Sequence, residues 1–240
     1  MASLESESMA QYWVDAIRNN KDLIRKYVSN PALFDRLASL EDNLKVLDSG
    51  CGEGYVSREL ARRSHKVVAI DMSQYIIKAA KEATVGNDEY VRADVFQMPF
   101  RDESFDCVVS NFLLVELEKP EDFIKEVKRI LKPKGRFIFQ TLHPSLFISK
   151  TGLSEGRTVP NYFESTKITE KLGIPYNLES PVEITTYHHP LSIYAKALTN
   201  NGFHIIYLDE PALIETTPPD NPIREKLKDP RAIIIDSIKT

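Results

Sequence analysis

Apolar positions along the 240-residue chain follow two different rhythms. Near the start, Trp13, Ile17, Leu23, Ile24 and Tyr27 recur at mostly helical spacing and predict a helix over residues 12–27. Pro31 suits the first turn of a second, short helix. From residue 45 short apolar runs alternate with amphipathic stretches. Strands are predicted over 45–48, 67–70, 89–92, 105–110 and 136–142, and helices over 55–64, 74–82 and 120–131. Ser73 is placed to cap the second of those helices, and Pro133 and Gly135 to stop the third. Strand and helix in strict alternation predict an α/β fold, a parallel sheet with helices on both faces and right-handed crossovers. Such a doubly wound sheet binds ligands beyond the carboxyl ends of its strands.

The rhythm weakens over residues 144–181, where Gly152, Gly156, Pro160, Gly173 and Pro175 interrupt it. A long irregular insert in a compact domain is commonly functional, and this one is expected to cover the site. Tyr162, Phe163 and Tyr176 make it aromatic. Beyond it come a strand at 183–187, a helix at 191–200 stopped by Gly202, a strand at 203–209, a Pro-rich loop at 211–230 and a strand at 232–238 near an edge. A single domain over residues 1–240 follows, with 1–42 as an N-terminal helical lid.

Composition narrows the function classes. The net charge is -4, without the basic field that phosphate neutralisation requires, so no nucleic-acid partner is expected. No apolar run is long enough to span a bilayer, and MASLESESMAQYW lacks a secretory signal's basic and apolar regions. Two cysteines make no disulfide framework, so a reducing, cytoplasmic setting is expected. No metal site is assigned.

Three acids sit where chemistry is expected. Residues 46–54 read VLDSGCGEG: a strand runs into glycines at alternate positions and then into a helix. Glycine permits positive φ and close backbone approach, and the helix start offers free N–H groups. This is not a dinucleotide fingerprint, because position 55 is Tyr where glycine is wanted, and Asp48 precedes the glycines. Asp48 suits an ammonium better than a pyrophosphate. Asp71 ends the next strand and can accept both hydroxyls of a ribose, or simply cap a helix. Asp94, in Ala93-Asp94-Val95 after the following strand, can accept from an exocyclic amine, or serve as a turn acid.

These stretches, with VVAIDMS, ADVFQMPFRDESFDCVVSN and RILKPKGRFIF, resemble the class I S-adenosylmethionine (SAM)-dependent methyltransferases, in the broad group holding the ubiquinone and menaquinone C-methyltransferases. The similarity spans about residues 44–142, with a weaker segment at 198–211. It implies a Rossmann-like sheet of seven strands with the last antiparallel, residues 183–187 being an additional edge strand. It implies SAM as cofactor and S-adenosylhomocysteine as product. Asp48, Gly50 and Gly52, with Cys51 between them, would hold the methionine part, Asp71 the ribose hydroxyls, and Asp94 and Val95 the adenine; Met72, beside Asp71, would pack on a base or belong to the core. Ser110 and Asn111 would lie near the sulfonium. The sequence departs from the family at Ser49, at Lys134 and after the fourth strand. There, Asn111-Phe112-Leu113-Leu114-Val115-Glu116 has no histidine where many relatives carry one.

A sulfonium methyl is already electrophilic, so positioning can suffice, and a base is needed only for a protonated acceptor. The candidates are His143, Tyr187, His188 and His189, each of which also suits a loop or helix-start role. Glu116 is a base candidate or a helix-start acid. Tyr12 and Trp13 would form an aromatic lid over the sulfonium or pack an amphipathic helix. The leading expectation is methyl transfer to an oxygen or nitrogen of a small molecule or peptide terminus by a monomer or homodimer. The alternatives are a non-catalytic SAM-binding regulator and a C-methyltransferase of quinone-like substrates. Aminopropyl transfer and a nicotinamide dehydrogenase rank lower.

Overall fold

The computed structural model describes residues 7–86, 88–148, 159–170, 183–221 and 223–240. Helices α1 (Glu7–Arg18) and α2 (Asn30–Leu37) precede the sheet, joined through a π-helical turn at Arg25–Ser29. The first helix is shorter than the predicted 12–27 because Asn20 takes a left-handed conformation (φ 51°), which ends the helix.

Strands β1 (Lys45–Ser49), β2 (Lys66–Asp71), β3 (Asp88–Arg92), β4 (Phe105–Asn111) and β5 (Leu131–Leu142) alternate with α3 (Tyr55–Arg62), α4 (Gln74–Glu82) and α5 (Pro120–Ile130). Ser73 caps α4, its hydroxyl accepting from the Ile76 N–H at 3.4 Å. A two-stranded ribbon, β6 (Thr166–Glu170) and β7 (Ile184–His188), is followed by α6 (Leu191–Asn200), β8 (Phe203–Asp209), the short α7 (Ile223–Lys226) and β9 (Ala232–Lys239). The main sheet has the order β3-β2-β1-β4-β5-β9-β8. β9 runs antiparallel to both its neighbours, and the other pairs are parallel. This is the expected seven-stranded, Rossmann-like sheet with its last strand antiparallel.

One placement differs from expectation. The strand predicted at 183–187 does not border the main sheet; it pairs with β6, residue Lys167 opposite Tyr187. β9 lies inside the sheet, between β5 and β8. Its run Ile233, Ile234 and Ile235 is fully buried because both faces of the sheet are covered. Ile233 and Ile235 join Leu47, Val108, Phe137 and Phe139 under α5 and α6, while Ile234 joins Val46, Val109 and Ile138 under α2 and α3. Alternation along each strand thus feeds two cores at once.

Strand order reverses at β1, with β2 on one side and β4 on the other. Registers that pair Ser49 with both Ile70 and Ser110 bring the carboxyl ends of β1, β2 and β4 to one level. The loops leaving those ends surround a common space, as expected at a topological switch point. The part of the insert at 144–181 that is described packs Leu146, Phe147 and Val159 on Val115, just past β4. Tyr176 and the remaining glycines and prolines named above, apart from Pro160, lie outside the described residues. Among the described residues no helix is long and apolar enough to cross a membrane.

Candidate active site

The loop after β1 is shaped by left-handed glycines. Gly50, Gly52 and Gly54 have φ of 69°, 55° and 86°. The N–H groups of Gly50 and Cys51 both reach the Ile70 carbonyl at 2.9 Å, pinning the loop to the end of β2. A Cβ at Gly52 would meet nothing within 4 Å, so its backbone borders open space. That space is a cleft at the carboxyl ends of the strands. Asp48, Gly50, Cys51, Gly52, Asp71 and Asn111, all named from the sequence, line it.

The two acids have different surroundings. Asp48 is buried; its Oδ2 accepts from the Ser57 hydroxyl at 2.6 Å, while its Oδ1 has no partner. Burial, with Asp71 nearby, pushes its carboxyl up to about 7. Asp71 accepts from the N–H of Gly52 at 3.2 Å and of Ser73 at 2.9 Å. Burial raises its pKa too, and these backbone bonds offset part of the rise. Cys51 is buried and its thiol is pushed well up, chiefly by burial, so it is a packing residue and not a nucleophile.

The helical N-terminus supplies the opposite wall. Trp13, Val14 and Ile17 of α1 face the cleft. An ionic tie holds α1 to the glycine loop: buried Glu53 pairs with Arg18 at 3.0 Å and with Arg58 at 2.6 Å. Arg25 is a wall residue that local sequence patterns did not reveal. It donates to the Tyr55 hydroxyl at 3.0 Å, pairs with Asp22 at 3.1 Å and lies 4.5 Å over the Phe112 ring. Phe112 has φ 58°, an uncommon conformation for a bulky side chain, fixed by its N–H on the Gln140 carbonyl at 2.7 Å. Gln140 donates to Asn111 at 2.7 Å, and Asn111 donates in turn to Tyr55. Glu116, on a 3₁₀ turn after β4, completes the rim.

Other expected residues lie elsewhere. Asp94 is exposed and its Oδ1 accepts from the Phe96 N–H at 2.9 Å, an Asx turn. Val95 is packed in the core, the Met72 carbonyl accepts from Arg92 at 2.8 Å, and the buried Ser110 hydroxyl has no partner. Tyr12 stands edge-on to Trp13, ring centroids 5.9 Å apart, and it is Trp13 that lines the cleft.

The histidine placements correct the sequence expectation: neither the three histidines nor Tyr187 lines the cleft. The His143 Nδ1 accepts from the Ser145 N–H at 3.1 Å, and its Nε2 lies 2.7 Å from Glu210. His188 gives its Nε2–H to the Tyr162 carbonyl at 2.8 Å. His189 gives its own to the Leu117 carbonyl at 2.8 Å and meets the Ser165 hydroxyl at 2.8 Å. Burial lowers all three pKa values, keeping the rings neutral. Tyr187 stacks on His189 and lines a separate groove beside the ribbon.

A glycine loop with an unpartnered buried carboxylate, at the reversal of strand order, is the geometry; the match to known proteins decides its kind. Residues 47–139 match the methyltransferase-domain family. The chain is similar to a malonyl-[acyl-carrier protein] O-methyltransferase of Erwinia pyrifoliae, 33% identical over 53% of this chain and 50% of that one. It is similar also to a ubiquinone biosynthesis O-methyltransferase of Xanthomonas oryzae pv. oryzae, 31% identical over 57% and 58% of the two chains. The chain thus spans about half the length of the curated relatives it matches. In fold, the chain superposes on a SAM-dependent methyltransferase from Mesorhizobium loti with a TM-score of 0.69, at 22% identity, over 87% of this chain and 96% of that one.

Proposed function

We propose that the chain transfers a methyl group from SAM to an oxygen or nitrogen of a small molecule or peptide terminus. The observation that carries this reading is Asp48 Oδ1, a buried acceptor with no partner on the wall of the cleft. A buried carboxylate oxygen is costly to leave unmet, and an ammonium meets it. The residues present therefore fit the cofactor. Asp48 would take the ammonium, with the backbone of Gly50, Cys51 and Gly52 beside the methionine part. Asp71, already oriented by two backbone N–H groups, would accept from the ribose hydroxyls. Asn111, on the cleft wall, would lie beside the sulfonium with Ser110 behind it, and the adenine would have to extend past the cleft to reach the turn that holds Met72, Asp94 and Val95.

When bound, SAM supplies an electrophilic methyl group. The chain's own part is to bind, orient and exclude water. Trp13 and its neighbours on α1, tied down through Glu53, would act as the lid expected of residues 1–42. The described part of the insert at 144–181 would shape the acceptor's approach past β4. The two relatives named for O-methylation favour oxygen among the acceptors.

Calorimetric titration with SAM and with S-adenosylhomocysteine tests the reading. Binding of both in the micromolar range is expected; the absence of binding by a folded protein overturns it.

A further inference from the structure

We infer that Glu116 is the proton acceptor of the reaction and that the methyl acceptor enters through the groove beside the ribbon. The inference rests on the function proposed above and narrows it to acceptors that arrive carrying a proton, a hydroxyl or an ammonium.

The argument starts from two neighbouring spaces. The cleft holds Asp48 and Asp71. The groove, about 1450 Å³ and open to solvent, runs between Phe96, the outer side of α5 and Tyr187 of the ribbon. Glu116 is the residue that lines both. It stands at the close of the 3₁₀ turn Leu114–Glu116, whose Leu114 and Val115 are buried and whose last N–H reaches the Leu113 carbonyl at 2.8 Å. The turn is anchored, so the carboxylate is presented from a fixed backbone at the junction.

The other acids of the cleft are committed. Asp48 is held by Ser57 and Asp71 by two backbone N–H groups. The Glu116 carboxylate accepts no hydrogen bond from the described residues. Among the described residues the charged groups of the two spaces are Asp48, Glu53, Asp71 and Arg25 in the cleft, and Glu118, Lys119, Asp122 and Lys125 along the groove. The groove also holds the Glu126–Arg129 ion pair, closed at 2.6 Å, and the Tyr187 phenol. Burial, and then the charge of Asp71, push Glu116 up to about 7, and positive charge around it offsets part of the rise. A base poised near the working pH serves general-base catalysis best.

In the step, the acceptor's oxygen or nitrogen forms the new bond to the methyl carbon. The carbon–sulfur bond breaks and its electron pair stays on sulfur. The acceptor's proton passes to a Glu116 oxygen and leaves through the groove to water. An acceptor that is already ionised, such as a carboxylate, has no need of this base.

The test compares the whole protein with Glu116→Gln and Glu116→Asp. Affinity for SAM, measured by calorimetry, is expected to stay within about twofold in Glu116→Gln. Loss of binding by the wild type would overturn the proposed function, and so separates the two failures. With a panel of catechols, alcohols and primary amines, turnover is expected to fall on the order of 100-fold in Glu116→Gln, with recovery in part in Glu116→Asp. At saturating SAM, where the titration of Asp48 no longer limits binding, the rise of turnover through neutral pH should vanish in Glu116→Gln. Unchanged turnover and an unchanged pH profile overturn the inference. Infrared pH titration of the wild type against Glu116→Gln decides independently of any acceptor: a carboxyl midpoint near 7 supports it, and one below about 5 overturns it.

Discussion

The acids around the cleft and the histidines beyond it are both polar groups taken out of water, and they differ in what they face. Asp48 keeps a buried oxygen without a partner, and Glu116 accepts nothing from the described residues. Of the histidines, His143 and His189 have both ring nitrogens partnered, while His188 donates to the Tyr162 carbonyl and keeps a buried Nδ1 without a partner. A buried ring away from the cleft serves the packing around it, whereas an acid on the cleft wall can meet a ligand. Residue type alone would have chosen the histidines as the chemistry; position on the cleft wall chooses the acids.

The sharpest way to break this contrast is to remove an acid from the cleft. Asp71→Ala is expected to weaken SAM binding by about 1.5–3 kcal/mol, the range for charge-assisted hydrogen bonds, in a protein that still folds. Unchanged affinity would end the role given to Asp71. His188→Ala should do the reverse. It strands the Tyr162 carbonyl and empties space against Phe147, so thermal unfolding should register a loss of about 1–3 kcal/mol while SAM affinity holds within about twofold. A large affinity loss without loss of stability would return the histidine to the site.

pH sharpens the contrast further, because the two regions carry opposite signs. Asp48, raised to about 7 in the folded chain from an ordinary 3.8, holds a proton that the unfolded chain has shed. Its contribution to stability is present below the unfolded value and is lost as pH rises through about 7. The histidines have lowered folded values, so theirs is present above about 6.5 and is lost as pH falls below it. An ammonium ligand favours ionised Asp48, so SAM affinity should climb through pH 7 by up to about tenfold per unit, with proton release on binding. Calorimetry in buffers of different ionisation enthalpy checks this, and Asp48→Asn should flatten it. The smallest effect is expected within one helix: Trp13→Ala should cost about 0.5–1 kcal/mol of SAM affinity, and Tyr12→Ala less, since only Trp13 lines the cleft. Equal losses would mean that α1 seats the cofactor through its backbone position and not through the indole.

The fold was legible because its signals are local. Apolar runs, the glycines after Asp48 and the Ser73 cap each act within a few residues, and they placed the strands of the parallel sheet and the acids at two of its ends. What escaped the sequence was pairing at long range. Nothing near residue 25 announces that Arg25 will meet Tyr55 and Phe112, or that Gln140 will reach Asn111 and through it Tyr55. Strand 183–187 was read correctly as a strand, but its partner β6 lies in a stretch with weak periodicity. Asp94 shows the converse: the same residue type and position after a strand, turned outward by its own Asx turn.

The insertion of β9 between β5 and β8 has a consequence for the birth of the protein. β5, with Phe137, Ile138 and Phe139, is complete about 90 residues before β9 begins. At ordinary rates of synthesis its backbone edge stays bare for on the order of 5–20 s. An apolar strand with unpaired N–H and C=O groups is a template for any other strand it meets. The nascent chain therefore passes through an interval in which the cofactor half of the sheet has been made but is not yet closed, and in which a neighbouring ribosome's product can take the place reserved for β9.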